Sequence, residues 1–114
     1  MIARVWTALA RPDGADAYAV HFNDHVLPAL EAVDGYQGAT LLRRARGEST
    51  ELVVISWWAS EETIRGFAGD DFERAVVAEE ALRVLTSFDD VVRHYEVIGP
   101  ARLLVAGLPA EARD

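Results

Sequence analysis

Three histidines are the side chains of this sequence best suited to acid-base chemistry. His21 and His25 stand four residues apart in a segment with helical periodicity, a spacing that can clamp a metal ion. No third ligand is evident nearby and the chain has no cysteine, so the spacing does not by itself predict a metal site. His25 lies at the margin of the apolar stripe, and His21 lies further toward solvent. We therefore predict His25 as a base at the edge of a cavity.

The third histidine, His94, alternates with Glu96 on one face of the apolar segment VVRHYEVI. A histidine on a strand that is buried on both sides must find a hydrogen-bond partner. Two interpretations stay open: a satisfied core histidine, or a base poised near neutral pH to take a proton from a phenol. Arg4 is a further charge on a buried strand. It either pairs with Glu96, which is the default, or binds an anionic ligand.

Two adjacent tryptophans, Trp57 and Trp58, end the apolar run ELVVISWW. Neighbouring residues of a strand point to opposite faces of a sheet, so only one of the two can face the helices. Aromatic side chains in such runs are most often core residues. The pair therefore predicts packing on both faces of the sheet.

Composition restricts the class of protein. A chain of 114 residues has the length of one domain, and its formal net charge of −8 argues against nucleic acid or an anionic membrane as partner. No apolar run approaches the roughly 20 residues of a membrane span, and the N-terminal residues do not form a secretory signal. We expect a cytoplasmic protein.

Hydrophobic periodicity and turn residues predict six elements in the order β-α-β-β-α-β. This is the α+β, ferredoxin-like arrangement with a four-stranded antiparallel sheet. We assign it to residues 1–99 and treat residues 100–114 as a C-terminal tail. The predicted elements are strand Ile2–Leu9, helix Ala15–Val33 with a kink at Pro28, strands Tyr36–Arg46 and Glu51–Trp58, a short helix capped by Ser60 and a second helical stretch Asp71–Thr86, and strand Val91–Ile98.

The strands are apolar on both alternations, so helices on one face would leave the other face bare. A second copy of the sheet is the simplest cover, which predicts a homodimer. The apolar run ARLLVAG in the tail is too hydrophobic for a free terminus, and we expect it to dock, with the dimer partner as a candidate surface.

Four segments carry a resemblance to a known family: GYQGATLLRR, VVISWWASEE, FAGDDFERAVV and VVRHYEV. From Ile2 to Ile98 the chain resembles the antibiotic biosynthesis monooxygenase-like domain of the dimeric α/β-barrel superfamily. The resemblance implies a dimeric α/β barrel with a cavity between the helices and the sheet of each protomer. Members include cofactor-free oxygenases of polyketide aromatics, haem-degrading oxygenases and proteins of unknown activity, and related barrels serve as non-oxidative cyclases and isomerases.

Carried over by resemblance, the tryptophan before the turn of the third strand is Trp58, which would form the aromatic wall of the cavity. The quinone-forming oxygenases carry an asparagine where this chain has Val54. The haem degraders carry a histidine in the segment that here reads FERAVV, which has none. Because that histidine is the axial ligand of the iron, we expect no haem and no other cofactor or metal.

The function implied is monooxygenation of an aromatic or polycyclic metabolite without a cofactor. His94 or His25 would be the base, beside Trp58, with Phe22 and Phe67 as cavity lining. Arg4 and Glu96 complete the predicted substrate-binding residues. Two alternatives stay open: a non-catalytic binding or dimerisation module, and a non-oxidative cyclase or isomerase in the same cavity.

Overall fold

The computed structural model of the protein describes residues 1–99, so the predicted tail and its docking lie outside the described residues. Within that range the chain folds as α+β, as predicted. The elements in chain order are β1 (Ile2–Ala10), α1 (Pro12–His21), a π-helical turn (Phe22–Val26), α2 (Leu27–Glu31), β2 (Tyr36–Arg46), β3 (Ser49–Trp58), α3 (Glu61–Ala68), α4 (Glu79–Leu82), β4 (Ser87–Phe88) and β5 (Arg93–Glu96).

The strands form one antiparallel sheet in the order β2-β3-β1-β4, with β5 also paired to β1. The short strand β4 pairs with Ala8 and Leu9, and β5 pairs with the other end of β1, from Ile2 to Val5. The predicted last strand, Val91–Ile98, corresponds to β5, whereas β4 was not predicted. The sheet therefore has five strands in the described residues instead of four.

The first helical region bends where the sequence predicts it. Pro28 has no N–H for the carbonyl of Asp24, and its ring crowds the preceding turn. The chain responds with a π-helical turn in which the Leu27 N–H donates to the carbonyl of Phe22, five residues back. The helix begins at Pro12, earlier than predicted, because proline is favoured in a first turn.

Helix α3 begins at Ser60, as predicted. The Ser60 Oγ accepts from the Thr63 N–H at 3.3 Å, and the Thr63 Oγ1 accepts from the Ser60 N–H at 3.2 Å. Gly35 lies against this helix end with φ +91°, and a Cβ there would come within 2.3 Å of the Thr63 side chain. Only glycine suits this close approach.

The predicted helix from Asp71 to Thr86 is wrong for most of its length, since only α4 is helical. Ala75 donates to Asp90 and Val92 donates to Glu73, so backbone groups needed for a helix bond instead to the strand-like segment before β5. We call residues 69–82 the covering segment.

The two faces of the sheet differ as the alternation predicts. On β3, Leu52 and Trp58 are buried under the helices, whereas Val53, Ile55 and Trp57 lie on the other face and are partly exposed. Leu42 and Tyr95 on that outer face are 48 % and 50 % exposed. No helix of residues 1–99 is long and apolar enough to cross a membrane.

Candidate functional site

A cavity of about 60 Å³ lies between the sheet and its helical cover. Strands β1 and β3 form its floor, the α1–α2 helix forms one wall, and the covering segment closes it from above. Most of the lining is apolar. The lining residues are Arg4, Trp6, Tyr18, His21, Val26, Leu30, Val54, Ser56, Phe67, Val76, Val77, Ala78, Ala81 and Val92.

Arg4 is the one charged side chain at this cavity, and it is 5 % exposed. Its Nη1 donates to the carbonyl of Phe72 and to the His94 Nε2 at 3.1 Å, and its Nη2 donates to the carbonyl of Arg74 at 3.1 Å. Burial lowers the pKa of Arg4 to about 10, which still leaves the guanidinium charged at neutral pH. A permanent positive charge therefore lies at the cavity wall.

The predicted default pairing of Arg4 with Glu96 is wrong. Strand register places Glu96 opposite Ile2, two residues beyond Arg4, and its side chain is exposed. Arg4 forms no ion pair with any carboxylate of residues 1–99. Glu96 does not line the cavity, so the structure does not bring it to Arg4.

His94 lies opposite Arg4 in register but outside the cavity, in an open surface depression with Phe72 and Glu73. An arginine can only donate, so the His94 Nε2 must be an unprotonated acceptor in this contact. Desolvation and the charge of Arg4 lower the pKa of His94, against smaller opposing effects of Glu73 and Glu61. His94 is a neutral, hydrogen-bonded histidine, and the prediction that places it as a base in the cavity is not met by its position.

Of the two helical histidines, the structure brings His21 to the cavity and leaves His25 exposed. The predicted positions are reversed. His21 ends α1 three residues after the buried Tyr18 and lies on the same helical face, whereas His25 lies in the π-helical turn and is exposed. The two rings lie 5.4 Å apart, centroid to centroid, and His21 also lies 5.6 Å from the Tyr18 ring. No cluster of three or more potential metal ligands occurs in the described part of the chain.

Trp58 faces the helices, as predicted, but it is fully buried and does not line the cavity. Its ring stacks on Phe67 at 5.8 Å and meets Tyr36 edge-on at 5.7 Å, and its indole N–H donates to the Ser56 Oγ at 2.9 Å. Phe67 and Ser56 do line the cavity. Trp58 thus supports the wall from behind instead of forming it.

Phe22 was predicted as lining and is instead a core residue, 4 % exposed, packed on Tyr18. Tyr18 takes the place in the cavity, and burial raises the pKa of its phenol to about 12, so it stays protonated. Tyr18 and Ser56 are site residues that the sequence reasoning missed. Alternation on β3 was a usable signal for Ser56, since it puts Ser56 on the face of Trp58, which was expected to line the cavity.

The sequence profile of the antibiotic biosynthesis monooxygenase (ABM) family matches residues 1–79, more than half of the chain. The chain belongs to this family. No curated protein sequence matches it.

Solved structures share the ABM fold over nearly the whole chain. A Bacillus cereus protein assigned to the antibiotic biosynthesis monooxygenases is 16 % identical, with a TM-score of 0.65 and coverage of 92 % of this chain and 98 % of that one. The ActVA-Orf6 monooxygenase of Streptomyces coelicolor, in complex with nanaomycin D, is 20 % identical, with a TM-score of 0.56 and coverage of 92 % of both chains. MhuD of Mycobacterium tuberculosis, a haem degrader, is 23 % identical, with a TM-score of 0.58 and coverage of 90 % of this chain and 100 % of that one.

The comparison with MhuD corrects one expectation. We expected no cofactor, but solved structures of MhuD hold two haems or two manganese protoporphyrins in the active site. An ABM fold is therefore no ground for excluding a cofactor.

As described, the cavity is too small for a haem, as it is for any aromatic ring unless its cover moves. The cavity of about 60 Å³ is far below the roughly 300–1,000 Å³ of pockets that enclose a large ligand. His21 is the one imidazole among the described residues that lines it.

Proposed function

We propose that this ABM protein binds an oxygen-bearing aromatic metabolite between its helices and its sheet and acts on it as a monooxygenase. One observation carries the proposal: the apolar cavity has four polar side chains on its wall, namely Arg4, Tyr18, His21 and Ser56. Apolar walls with a few placed polar groups are typical of small-molecule sites. The nanaomycin complex of the Streptomyces coelicolor protein supports an aromatic ligand on this fold.

In this proposal His21 replaces His25 and His94 as the base, because it alone of the three lines the cavity. A phenol on the substrate would give its proton to the His21 imidazole, the side-chain type most often used as a general base. Tyr18, held protonated by burial, and the Ser56 hydroxyl would donate hydrogen bonds to the oxygens of the ligand. Phe67, stacked on Trp58, would hold the ring.

Binding requires the covering segment to move. A cavity of about 150 Å³ is known to accept benzene, so about 60 Å³ is too small for one ring. Two features suit the segment to opening. The side chains of Val76 and Leu82 are 54 % and 46 % exposed. Val76 and Val77 lie outside the helices and strands, and neither makes a backbone hydrogen bond to another described residue. Segments with few buried contacts and few hydrogen bonds open at low free-energy cost.

Oxygen uptake with phenolic anthrones and naphthols tests the proposal, after calorimetry has identified those that bind. His21→Gln should lower the rate by about 10²- to 10⁴-fold, the usual contribution of a general base. His25→Gln is the matched control, since it removes an exposed imidazole one turn away, and its rate should equal that of the wild type. Equal rates for all three proteins would contradict the role of His21, and binding without any oxygen uptake would contradict the monooxygenase.

A non-catalytic binding module is the second candidate, and Val54 favours it. By resemblance this position is an asparagine in the quinone-forming oxygenases, and here its apolar side chain lines the cavity. The same titrations decide between the two: the module binds the aromatics and leaves dioxygen untouched.

We also propose that two chains associate through the outer face of the sheet. That face carries partly exposed apolar side chains on three adjacent strands, among them Val5, Leu42 and Trp57. An apolar sheet face of this extent is rarely left in water. Light scattering at micromolar concentration should give twice the chain mass of 12.5 kDa, and a monomer mass would contradict the dimer.

A further inference from the structure

Arg4 is the feature of the cavity that the proposed function does not yet explain. Its guanidinium is charged and 5 % exposed, and no carboxylate of residues 1–99 forms an ion pair with it. Buried charges in proteins are ordinarily paired, because leaving water without a counter-charge is costly. The two carboxylates that influence its neighbour His94, Glu61 and Glu73, are not ion-paired to it either.

The hydrogen bonds of Arg4 account for part of the side chain only. A guanidinium has five N–H groups, and the contacts to Phe72, Arg74 and His94 use three. All three acceptors are neutral, so they satisfy donors without balancing the charge. The remaining donors belong to a side chain that lines the cavity.

We infer that the ligand of this cavity is an aromatic anion, and that its ionised oxygen binds to the guanidinium of Arg4. This inference rests on the proposed function, because it assumes that the cavity takes an aromatic ligand. The shared chemistry is an acidic oxygen on an aromatic ring, either a carboxylate or an ionised phenol or enol. Such an oxygen would supply the missing counter-charge in a site where water is scarce and charge-assisted hydrogen bonds are strong.

The surroundings of Arg4 place an aromatic ring beside that oxygen. The Arg4 Cζ lies 5.8 Å from the centre of the Phe67 ring, and Trp6 is the next inward-facing residue on the same strand. Both aromatic side chains line the cavity with Arg4. A ligand whose ring packs on Phe67 would therefore carry its acidic group toward the guanidinium.

Two pairs of probes of nearly equal shape test the inference by calorimetry: naphthoate with naphthamide, and ionised hydroxynaphthoquinone with its methyl ether. The wild type should bind the anion of at least one pair about 10-fold or more tightly than its neutral partner, as for a hydrogen bond to a charged group. Preference in the first pair identifies a carboxylate, and preference in the second identifies an ionised enol or phenol. Either outcome supports the inference.

Arg4→Gln should abolish the preference. It should weaken the affinity for the anion about 10- to 100-fold and leave the affinity for the neutral partner within about threefold of the wild-type value. Arg4→Lys should keep part of the preference because it keeps the charge. Arg46→Gln is the matched control, since it removes an exposed arginine from the far end of β2 and changes the net charge equally. If Arg4 only supports the fold, its loss weakens both probes of a pair by the same factor, which would overturn the inference.

The wild-type comparison needs no variant, so the inference can fail even if Arg4→Gln does not fold. Equal affinity for both members of both pairs would overturn the anion and leave the aromatic ligand of the proposed function standing. Failure of all four probes to bind would overturn the proposed function and the inference with it.

Discussion

The helix-covered face of the sheet has a packed end and a cavity end, built on the same strands. At the packed end Trp58 and Ile64 are 0 % exposed, and Ile64 belongs to α3, a helix that begins with a capping box. At the cavity end the cover is the covering segment, whose only helix, α4, has four residues and no side-chain cap. The cavity thus lies where the cover of the sheet has little regular helix.

The candidate site therefore lies where the local structure of the cover is weakest. The capping box of Ser60 and Thr63 satisfies donors at the start of α3 and fixes the packed end. The covering segment is held by two backbone hydrogen bonds to its neighbour, by Arg4, and by apolar contacts of Ala75, Val77 and Ala81 with the core. A ligand that must enter needs a region that opens without unfolding the rest.

The largest effect is expected from the packed end. Trp58→Ala removes a fully buried ring and its hydrogen bond to Ser56, and should lower the free energy of unfolding by about 3–5 kcal/mol. Trp57→Ala is the matched control on the outer face, where it should lower stability less and shift the equilibrium toward monomer. Urea titration and sedimentation measure the two quantities. Equal losses of stability, or weaker assembly for Trp58→Ala alone, would contradict the assignment of faces.

Two alanines of one core cluster provide a finer contrast, between filled core and cavity wall. Ala15 is 1 % exposed in packed core, whereas Ala81 is 2 % exposed but lines the cavity. Ala15→Val should cost about 1–3 kcal/mol through overpacking, and Ala81→Val should cost less because its added methyl groups enter empty space. Ala81→Val should also weaken the binding of any aromatic probe. Thermal unfolding and calorimetry check both expectations, and an equal cost at the two positions would show that the surroundings of Ala81 are as tightly packed as those of Ala15.

The fold was predictable because periodicity and capping act locally. The alternation on β3, the capping box at Ser60 and the bend near Pro28 all follow from residues within a few positions of each other. The covering segment was not predictable in this way. Its residues have helical spacing, but Ala75 bonds to Asp90 and Arg4 takes two of its carbonyls, and these partners are distant in sequence.

The candidate site followed the sequence only in part, for a related reason. Arg4 and Phe67 were predicted and line the cavity. His21 was placed toward solvent, although regular helical spacing puts it on the face of Tyr18, three residues earlier. His25 lies in a π-helical turn, which no spacing rule for a regular helix anticipates. His94 was placed on the correct face. Strand register puts it opposite Arg4, so the His94 Nε2 accepts a hydrogen bond from the guanidinium and is not available as a base.

The smallest effect is expected from pH at the edge of the cavity end. Desolvation and the charge of Arg4 lower the pKa of His94, and Glu73 and Glu61 oppose this shift. As pH falls, His94 of the unfolded chain therefore takes up a proton at its ordinary pKa of 6.5, before His94 of the folded chain does. The stability due to neutral His94 is therefore complete above pH 6.5 and is lost as pH falls toward the lowered pKa of the folded state. Protonation also removes the acceptor at Nε2 that Arg4 uses.

His94→Gln should keep an acceptor for Arg4 and reduce the fall in stability on the acid side of pH 6.5, measured by urea titration at a series of pH values. His25→Gln removes an exposed imidazole and serves as the control, with a pH profile equal to that of the wild type. If His94→Gln retains the full acid dependence, the hydrogen bond from Arg4 does not hold His94 neutral. The covering segment accepts hydrogen bonds from the same guanidinium through the carbonyls of Phe72 and Arg74. Its stability would then not depend on the protonation of His94.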